Sequence, residues 1–210
     1  MKKYDLYLFD FDGTILNTME ALEYIFSVAY EHVGMKFDPK DTVEYARIRI
    51  DEGYYRMNGK PEKFMDFADF LHKAIDFPEA LKRNEPYPDT YDFIDYVRKN
   101  HIKVGIVTSN KASHVKDVLK VMNIPIDTFV VYVGNKDYKN FKPHPDPIFK
   151  ALELSGYTGD KSKVAYVGDA LNDAISANAA GVDAIIIDRI DEYPDSSNYV
   201  RIHSLMDLFI

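Results

Sequence analysis

The chain of 210 residues contains no cysteine. Disulfides, thiolate nucleophiles and thiolate metal sites are therefore excluded. It has no apolar stretch long enough to span a bilayer, which needs about 20 apolar residues in a row. An aspartate already at position 5 arrives too early for a secretory signal. Cytoplasmic is thus the expected location. Positive charge is in short supply, with 26 Lys and Arg against 34 Asp and Glu, a formal net charge of -8. That balance disfavours nucleic acid and anionic membrane surfaces as partners. It leaves room for a small anionic substrate, because a cleft can oppose the global sign. Internal repeats and low-complexity tracts are also missing.

What is there alternates. Leu6 to Phe9, Val104 to Val107, Phe129 to Val133, Val164 to Val167 and Ala184 to Ile187 are short, nearly continuous apolar runs. Such runs fit strands buried on both faces of a parallel sheet. Segments with helical spacing lie between them. Tyr91, Ile94 and Val97 form one face, and Val115, Val118, Leu119 and Met122 another. Ile148, Ala151, Leu152 and Leu154 form a third. Ala174, Ile175, Ala177 and Ala180 form a fourth, with Gly181 as a helix stop. Strand and helix in alternation predict a doubly wound, Rossmann-like α/β domain. Tyr199 to His203 is expected as a late edge strand, followed by a short C-terminal helix.

From Asn17 to Glu85 the alternation stops. Leu22, Ile25, Phe26 and Ala29 give one helical face, and Phe64, Phe67, Ala68 and Leu71 give another. The expected organisation is an α/β core of residues 1–16 and 86–210 with an all-helical insertion, 17–85. Glu85-Pro86-Tyr87-Pro88 would be the return linker, since both prolines oppose a continuing helix.

Four polar segments follow or close the apolar runs: Asp10-Phe11-Asp12-Gly13-Thr14, Thr108-Ser109-Asn110, Lys142-Pro143 and Gly168-Asp169-Ala170-Leu171-Asn172-Asp173. In an open α/β sheet, ligands bind at the carboxyl ends of strands near a topological switch point, so the four are expected to form one site. Asp10 and Asp12 stand two apart and would point the same way if strand geometry persisted. Two carboxylates about 4 Å apart repel by roughly 4 kcal/mol at an effective dielectric of about 20, and Asp169 adds a third. A divalent cation relieves this, and oxygen-only ligands beside a phosphate point to Mg²⁺. Asp10 would attack phosphorus. Asp12 would protonate the leaving oxygen and then activate water. Thr108, Ser109 and Asn110 would bind a phosphoryl oxygen at a helix N-terminus, although helix capping by Ser109 or Asn110 is the simpler reading of that segment alone. Lys142, on the stiff segment before Pro143-His144-Pro145, would offset charge on the transferring group. Asp169 is the expected direct metal ligand, and Asp173 would act through water or by orienting Lys142.

With these residues in this order, the chain resembles the haloacid dehalogenase-like hydrolases. More closely it is similar to their phosphoglycolate phosphatase and β-phosphoglucomutase branch. The resemblance covers essentially the whole chain and includes the run from Lys142 to Phe149. It implies a sheet in the order 3-2-1-4-5 with a mobile helical cap over the active site. It also implies Mg²⁺ held by Asp10, the main-chain carbonyl of Asp12, and Asp169. One departure is Asn17, where the family often has Asp. An acid at Asp12 disfavours dehalogenation and phosphonoacetaldehyde hydrolysis. Lys60 and Lys63 carry no mark of a Schiff-base lysine and are expected at the surface.

The leading expectation is a Mg²⁺-dependent phosphatase acting on a small phosphomonoester, such as a phosphoglycolate-like acid, a sugar phosphate or a nucleotide. A phosphomutase that returns the phosphoryl group to its substrate is the alternative, and a silent scaffold on the same fold is a third reading. A monomer or weak homodimer is expected. In the insertion, Tyr45, Arg47, Arg49, Tyr54, Tyr55, Arg56 and Met57 could meet a substrate, but helix surface or local core is the expected place for most of them.

Overall fold

The computed structural model describes residues 2–46 and 48–210. Arg47 lies outside the described residues. The chain divides into two compact units, Met1–Leu16 with Pro86–Ile210, and Asn17–Glu85.

The first unit is built on a six-stranded parallel sheet. Its strands are β1 (Leu6–Phe9), β2 (Val104–Val107), β3 (Phe129–Val133), β4 (Val164–Gly168), β5 (Asp183–Ile187) and β6 (Val200–Ile202). They lie in the order β3-β2-β1-β4-β5-β6, so the direction of winding reverses at β1. Central β1 pairs Tyr7 with Val104 on one side and Leu6 with Val164 on the other. Its four residues are all buried, as are those of β2 and β4. Strand β3 differs. It is an edge strand, and Val130 is 53 % exposed, because only one of its faces has something to pack against.

Successive residues of β1 point to opposite faces. Leu6 and Leu8 join Tyr166, Ile186, Ile148 and Ala174 in one core cluster. Tyr7 and Phe9 enter an aromatic layer on the other face. There Phe9 packs edge-on against Phe93 at 5.0 Å, and Tyr96 stacks on Phe209 at 4.6 Å. Phe209 belongs to a 3-10 helix, Leu205–Phe209, which is the predicted short C-terminal helix.

Four helices, Thr90–Lys99, Ala112–Val121, Asp146–Leu154 and Leu171–Ala180, alternate with the strands. The last stops at Gly181, whose φ of 76° is a left-handed conformation that glycine adopts without steric cost. Three apolar residues expected on buried helical faces lie outside. Tyr91 is 47 %, Leu154 50 % and Ile175 53 % exposed. In the first helix the buried place of Tyr91 is taken by Thr90, whose hydroxyl donates to the Ile15 carbonyl at 2.7 Å.

The second unit is helical: Met19–His32, Thr42–Ala46, Ile50–Arg56, Phe64–Ala74 and Pro78–Lys82. Its core is aromatic. Tyr30 stacks on Phe37 at 5.3 Å, and both Tyr30 and Tyr54 meet Phe67 at 4.7 Å. The described arginine candidates here pair with nearby acids. Arg49 bonds Asp51 at 2.9 Å, and Arg56 bonds Glu44 and Glu52. Tyr54 is fully buried, with its hydroxyl on the Lys60 carbonyl. Lys63 donates to the Val33 carbonyl at 2.8 Å. No helix among the described residues is long and apolar enough to cross a membrane.

Candidate active site

The ladder of the sheet runs one residue past the strands, and this places the site. The Asp10 N–H donates to the Val167 carbonyl at 2.8 Å, and the Thr108 N–H donates to Val133 at 2.9 Å. Asp10 and Thr108 are thereby held at the carboxyl edge, beside the reversal in strand order where such sheets bind ligands.

After Asp10 the chain turns sharply. The Phe11 carbonyl accepts from the N–H groups of Thr14, Ile15 and Leu16. Gly13 has φ 76°, and a Cβ there would lie 2.3 Å from Asp169 Oδ2. Glycine is required on both counts. The two acids flank the start of this turn. Asp10 Oδ1 accepts from the Phe11 N–H at 2.8 Å, whereas Asp12 Oδ2 accepts from Asn110 Nδ2 at 2.8 Å.

Lys142 stands at the centre. Its ammonium is 2.9 Å from Asp10 Oδ2, 2.8 Å from Asp173 Oδ1 and 3.3 Å from the Tyr166 hydroxyl. These three partners match the three N–H directions of an ammonium. Asp173 is held in turn by the Ala170 N–H at 3.1 Å and the Tyr166 hydroxyl at 3.3 Å. The helix Leu171–Ala180 has Ala170, not Asp169, at its N-cap. Asp169 is therefore not spent on capping.

Asp10, Asp169 and Asp173 each offer a carboxylate oxygen, and these atoms lie within 4.8 Å of one another. Burial, and next the charge of Asp173, push the Asp169 carboxyl up to about 6. Burial also holds Asp10 well above the usual carboxylate range, with Lys142 opposing and Asp173 and Asp169 reinforcing. For Lys142, burial alone would lower the pKa, but Asp10 and Asp173 outweigh it and keep the group charged. Three carboxylates against one ammonium leave two uncompensated negative charges when all are ionised. Hard oxygen donors and a deficit of two positive charges fit a divalent cation. Each oxygen of Asp10 and of Asp173 already accepts within the protein, whereas Asp169 Oδ1 accepts only a long bond from the Thr14 hydroxyl at 3.4 Å, so Asp169 is the least committed of the three.

Thr108, Ser109 and Asn110 are divided in their tasks. Thr108 is fully buried, and its hydroxyl accepts from the Asn110 N–H at 3.0 Å. Ser109 is exposed. The following helix has Lys111 at its N-cap with no side-chain capping bond, so neither Ser109 nor Asn110 caps it. Asn110 orients Asp12 instead.

Several residues here have no counterpart in the sequence reading. Tyr166 sits inside the apolar run of β4 and reads as core, yet its hydroxyl touches Lys142 and Asp173. Tyr138 donates to the Thr108 carbonyl at 3.0 Å. Arg189 donates to the Thr14 carbonyl at 3.1 Å. None of these carries a sequence signal, because each acts through a main-chain atom or from a strand interior.

Comparison with known proteins agrees with this geometry. Residues 7–187 match the family model described as haloacid dehalogenase-like hydrolase. The chain is 28% identical over 181 residues to the pyrophosphatase PpaX of Halalkalibacterium halodurans, covering 86% of this chain and 81% of that protein. It is 24% identical over 214 residues to a phosphoglycolate phosphatase of Nitrosococcus oceani, covering 93% and 92%. Among solved structures, CbbY from Rhodobacter sphaeroides in complex with phosphate superposes with a TM-score of 0.78 at 19% identity, over 98% of this chain and 96% of that one. The sheet order, the acidic cluster around Lys142 and a family match spanning most of the chain place this protein in the haloacid dehalogenase-like hydrolase family, in its phosphoglycolate phosphatase-like branch.

Proposed function

We propose that this phosphatase hydrolyses a small phosphomonoester through a phospho-aspartate at Asp10. A carboxylate oxygen of Asp10 bonds to phosphorus as the ester P–O bond breaks, and Asp12 gives its proton to the leaving oxygen. A water oxygen then bonds to phosphorus. Asp12 takes the water proton, and the bond from phosphorus to Asp10 breaks, which regenerates the free carboxylate. Lys142 balances charge on Asp10 and on the transferring oxygens. The Thr108 hydroxyl and the Ser109 N–H receive a phosphoryl oxygen. Asp173 fixes Lys142.

The observation that carries this reading is the Lys142 ammonium held 2.9 Å from Asp10 and 2.8 Å from Asp173 in a buried acidic cluster. Asp10, Asp169 and the main-chain carbonyl of Asp12 would hold Mg²⁺. When bound, the cation polarises a phosphoryl oxygen and neutralises the cluster. The relatives are named for pyrophosphate and phosphoglycolate, which supports a substrate that is small and strongly anionic.

The test is phosphate release with and without Mg²⁺ on pyrophosphate, phosphoglycolate, a sugar phosphate and a nucleoside monophosphate. Release is expected to need Mg²⁺ and to fall by about a thousandfold or more in Asp10→Asn. An Asp10→Asn enzyme as fast as wild type would overturn the reading.

A further inference from the structure

Arg189 lies just past β5, outside the four segments that carry the chemistry. Its side chain is only 16 % exposed. One guanidinium nitrogen, Nη1, donates to Asp89 at 3.0 and 3.2 Å, and the other, Nη2, donates to the Thr14 carbonyl at 3.1 Å. The guanidinium plane covers the Tyr87 ring at 3.8 Å. Its Nε is buried without a hydrogen-bond partner. An unsatisfied buried donor costs stability, so the guanidinium is held here by its Nη bonds and its stack on Tyr87.

Asp89 is anchored from a second direction. It accepts from the Ser204 hydroxyl at 2.8 Å and the Leu205 N–H at 2.7 Å. The guanidinium thus ties a fixed point in the C-terminal segment to the turn that follows Asp10. On the far side of that turn, the Thr14 hydroxyl donates to Asp169 Oδ1 at 3.4 Å, and Gly13 packs directly on the same carboxylate. Thr14 is fully buried. The unbroken chain of contacts is Leu205–Asp89–Arg189–Thr14–Asp169.

We infer that Arg189 is a positioning residue for the divalent-cation site: it holds the Gly13-Thr14 turn against Asp169 and so sets how tightly Mg²⁺ is bound. Partners of metal ligands typically change affinity by about 10- to 100-fold when removed. Lysine cannot replace arginine here. One ammonium cannot span Asp89 and the Thr14 carbonyl while stacking on Tyr87. The inference rests on the reading that Asp10 and Asp169 hold Mg²⁺, and the experiment separates the two.

Mg²⁺ alone is titrated calorimetrically into wild type, Asp169→Asn, Arg189→Met and Arg189→Lys, with melting curves alongside. Wild type is expected to bind and Asp169→Asn to lose binding. Arg189→Met and Arg189→Lys should bind about tenfold or more weakly, and their phosphate release should recover at high Mg²⁺. If Arg189→Met does not fold, Arg189→Lys, which keeps the charge beside Asp89, carries the test. Wild-type affinity in a folded Arg189 variant, with binding lost in Asp169→Asn, would overturn the role of Arg189 and leave the metal site standing. No binding by wild type would overturn both.

Discussion

Lys142 and Asp173 form an ion pair at 2.8 Å in which both partners are largely buried, their side chains being 9 % and 2 % exposed. Such a pair stabilises little relative to an apolar replacement, but breaking it leaves a bare buried charge. Lys142→Met should therefore cost about 3–5 kcal/mol and stop phosphate release. Asp173→Asn should also cost stability, because its amide nitrogen is a donor and would face either the Ala170 N–H or the Lys142 ammonium. The double variant should be more stable than the sum of the single losses predicts. Urea unfolding of wild type and the three variants measures this, and strictly additive losses would show that the two side chains are not energetically coupled.

Gly13 is the position where backbone and site are least separable. Its φ is 76° and an added Cβ would meet Asp169 Oδ2 at 2.3 Å. Gly13→Ala should destabilise the protein by about 1–3 kcal/mol through backbone strain. It should also weaken Mg²⁺ binding by moving Asp169. Glycine 156 is the control. It too has positive φ, 67°, but nothing lies within 4 Å of its added Cβ. Gly156→Ala should lower the melting temperature without changing Mg²⁺ affinity. Equal effects on metal binding at the two positions would rule out the contact as the cause.

Three of the four segments were legible because each sits where an apolar run ends, and strand ends are where an open α/β sheet presents side chains to a ligand. Lys142 lies nine residues beyond its strand and was legible only from the company of the others. The sixth strand was legible for the same reason of pattern, although it covers only Val200–Ile202. Tyr91, Leu154 and Ile175 were misassigned to buried faces because periodicity reports a face and not its width. In each helix the sheet covers a narrower stripe than the apolar residues mark. Tyr166 and Arg189 were illegible. A tyrosine within a buried strand is ordinary core, and an arginine bonding a distant main-chain carbonyl leaves no trace in spacing.

Asp188, at the end of β5, supplies a pH dependence of known sign. Burial pushes its carboxyl up, but the N–H groups of Tyr193 and Glu192 and the Arg201 guanidinium outweigh this and hold it below the ordinary value. A carboxyl depressed in the folded state contributes stability above its unfolded pKa of about 3.9. That stability is lost as pH falls through the lower folded value. Asp188→Asn should therefore be less stable than wild type at neutral pH, and the gap should close below about pH 4. Melting temperatures from pH 3 to 7 measure it, and a gap constant across that range would contradict the assignment.

Asp12 is held by the Asn110 amide on Oδ2 at 2.8 Å, which leaves Oδ1 for proton transfer. If it protonates the leaving oxygen and later activates water, its two tasks respond differently to the leaving group. An alkoxide leaves only with a proton, whereas nitrophenolate leaves without one. Asp12→Asn should then cut turnover of an alkyl phosphate by about 10²- to 10⁴-fold, the usual reach of a general acid–base group. With nitrophenyl phosphate, transfer to Asp10 should stay fast while hydrolysis of the phospho-aspartate slows. Stopped-flow absorbance should therefore show a burst of nitrophenolate close to one equivalent of enzyme, followed by slow turnover. Asp10→Asn should show no burst at all. If Asp12→Asn gave no burst and lost the same factor on both substrates, Asp12 would be acting on binding or on charge alone, and the proton transfers would have to be assigned elsewhere.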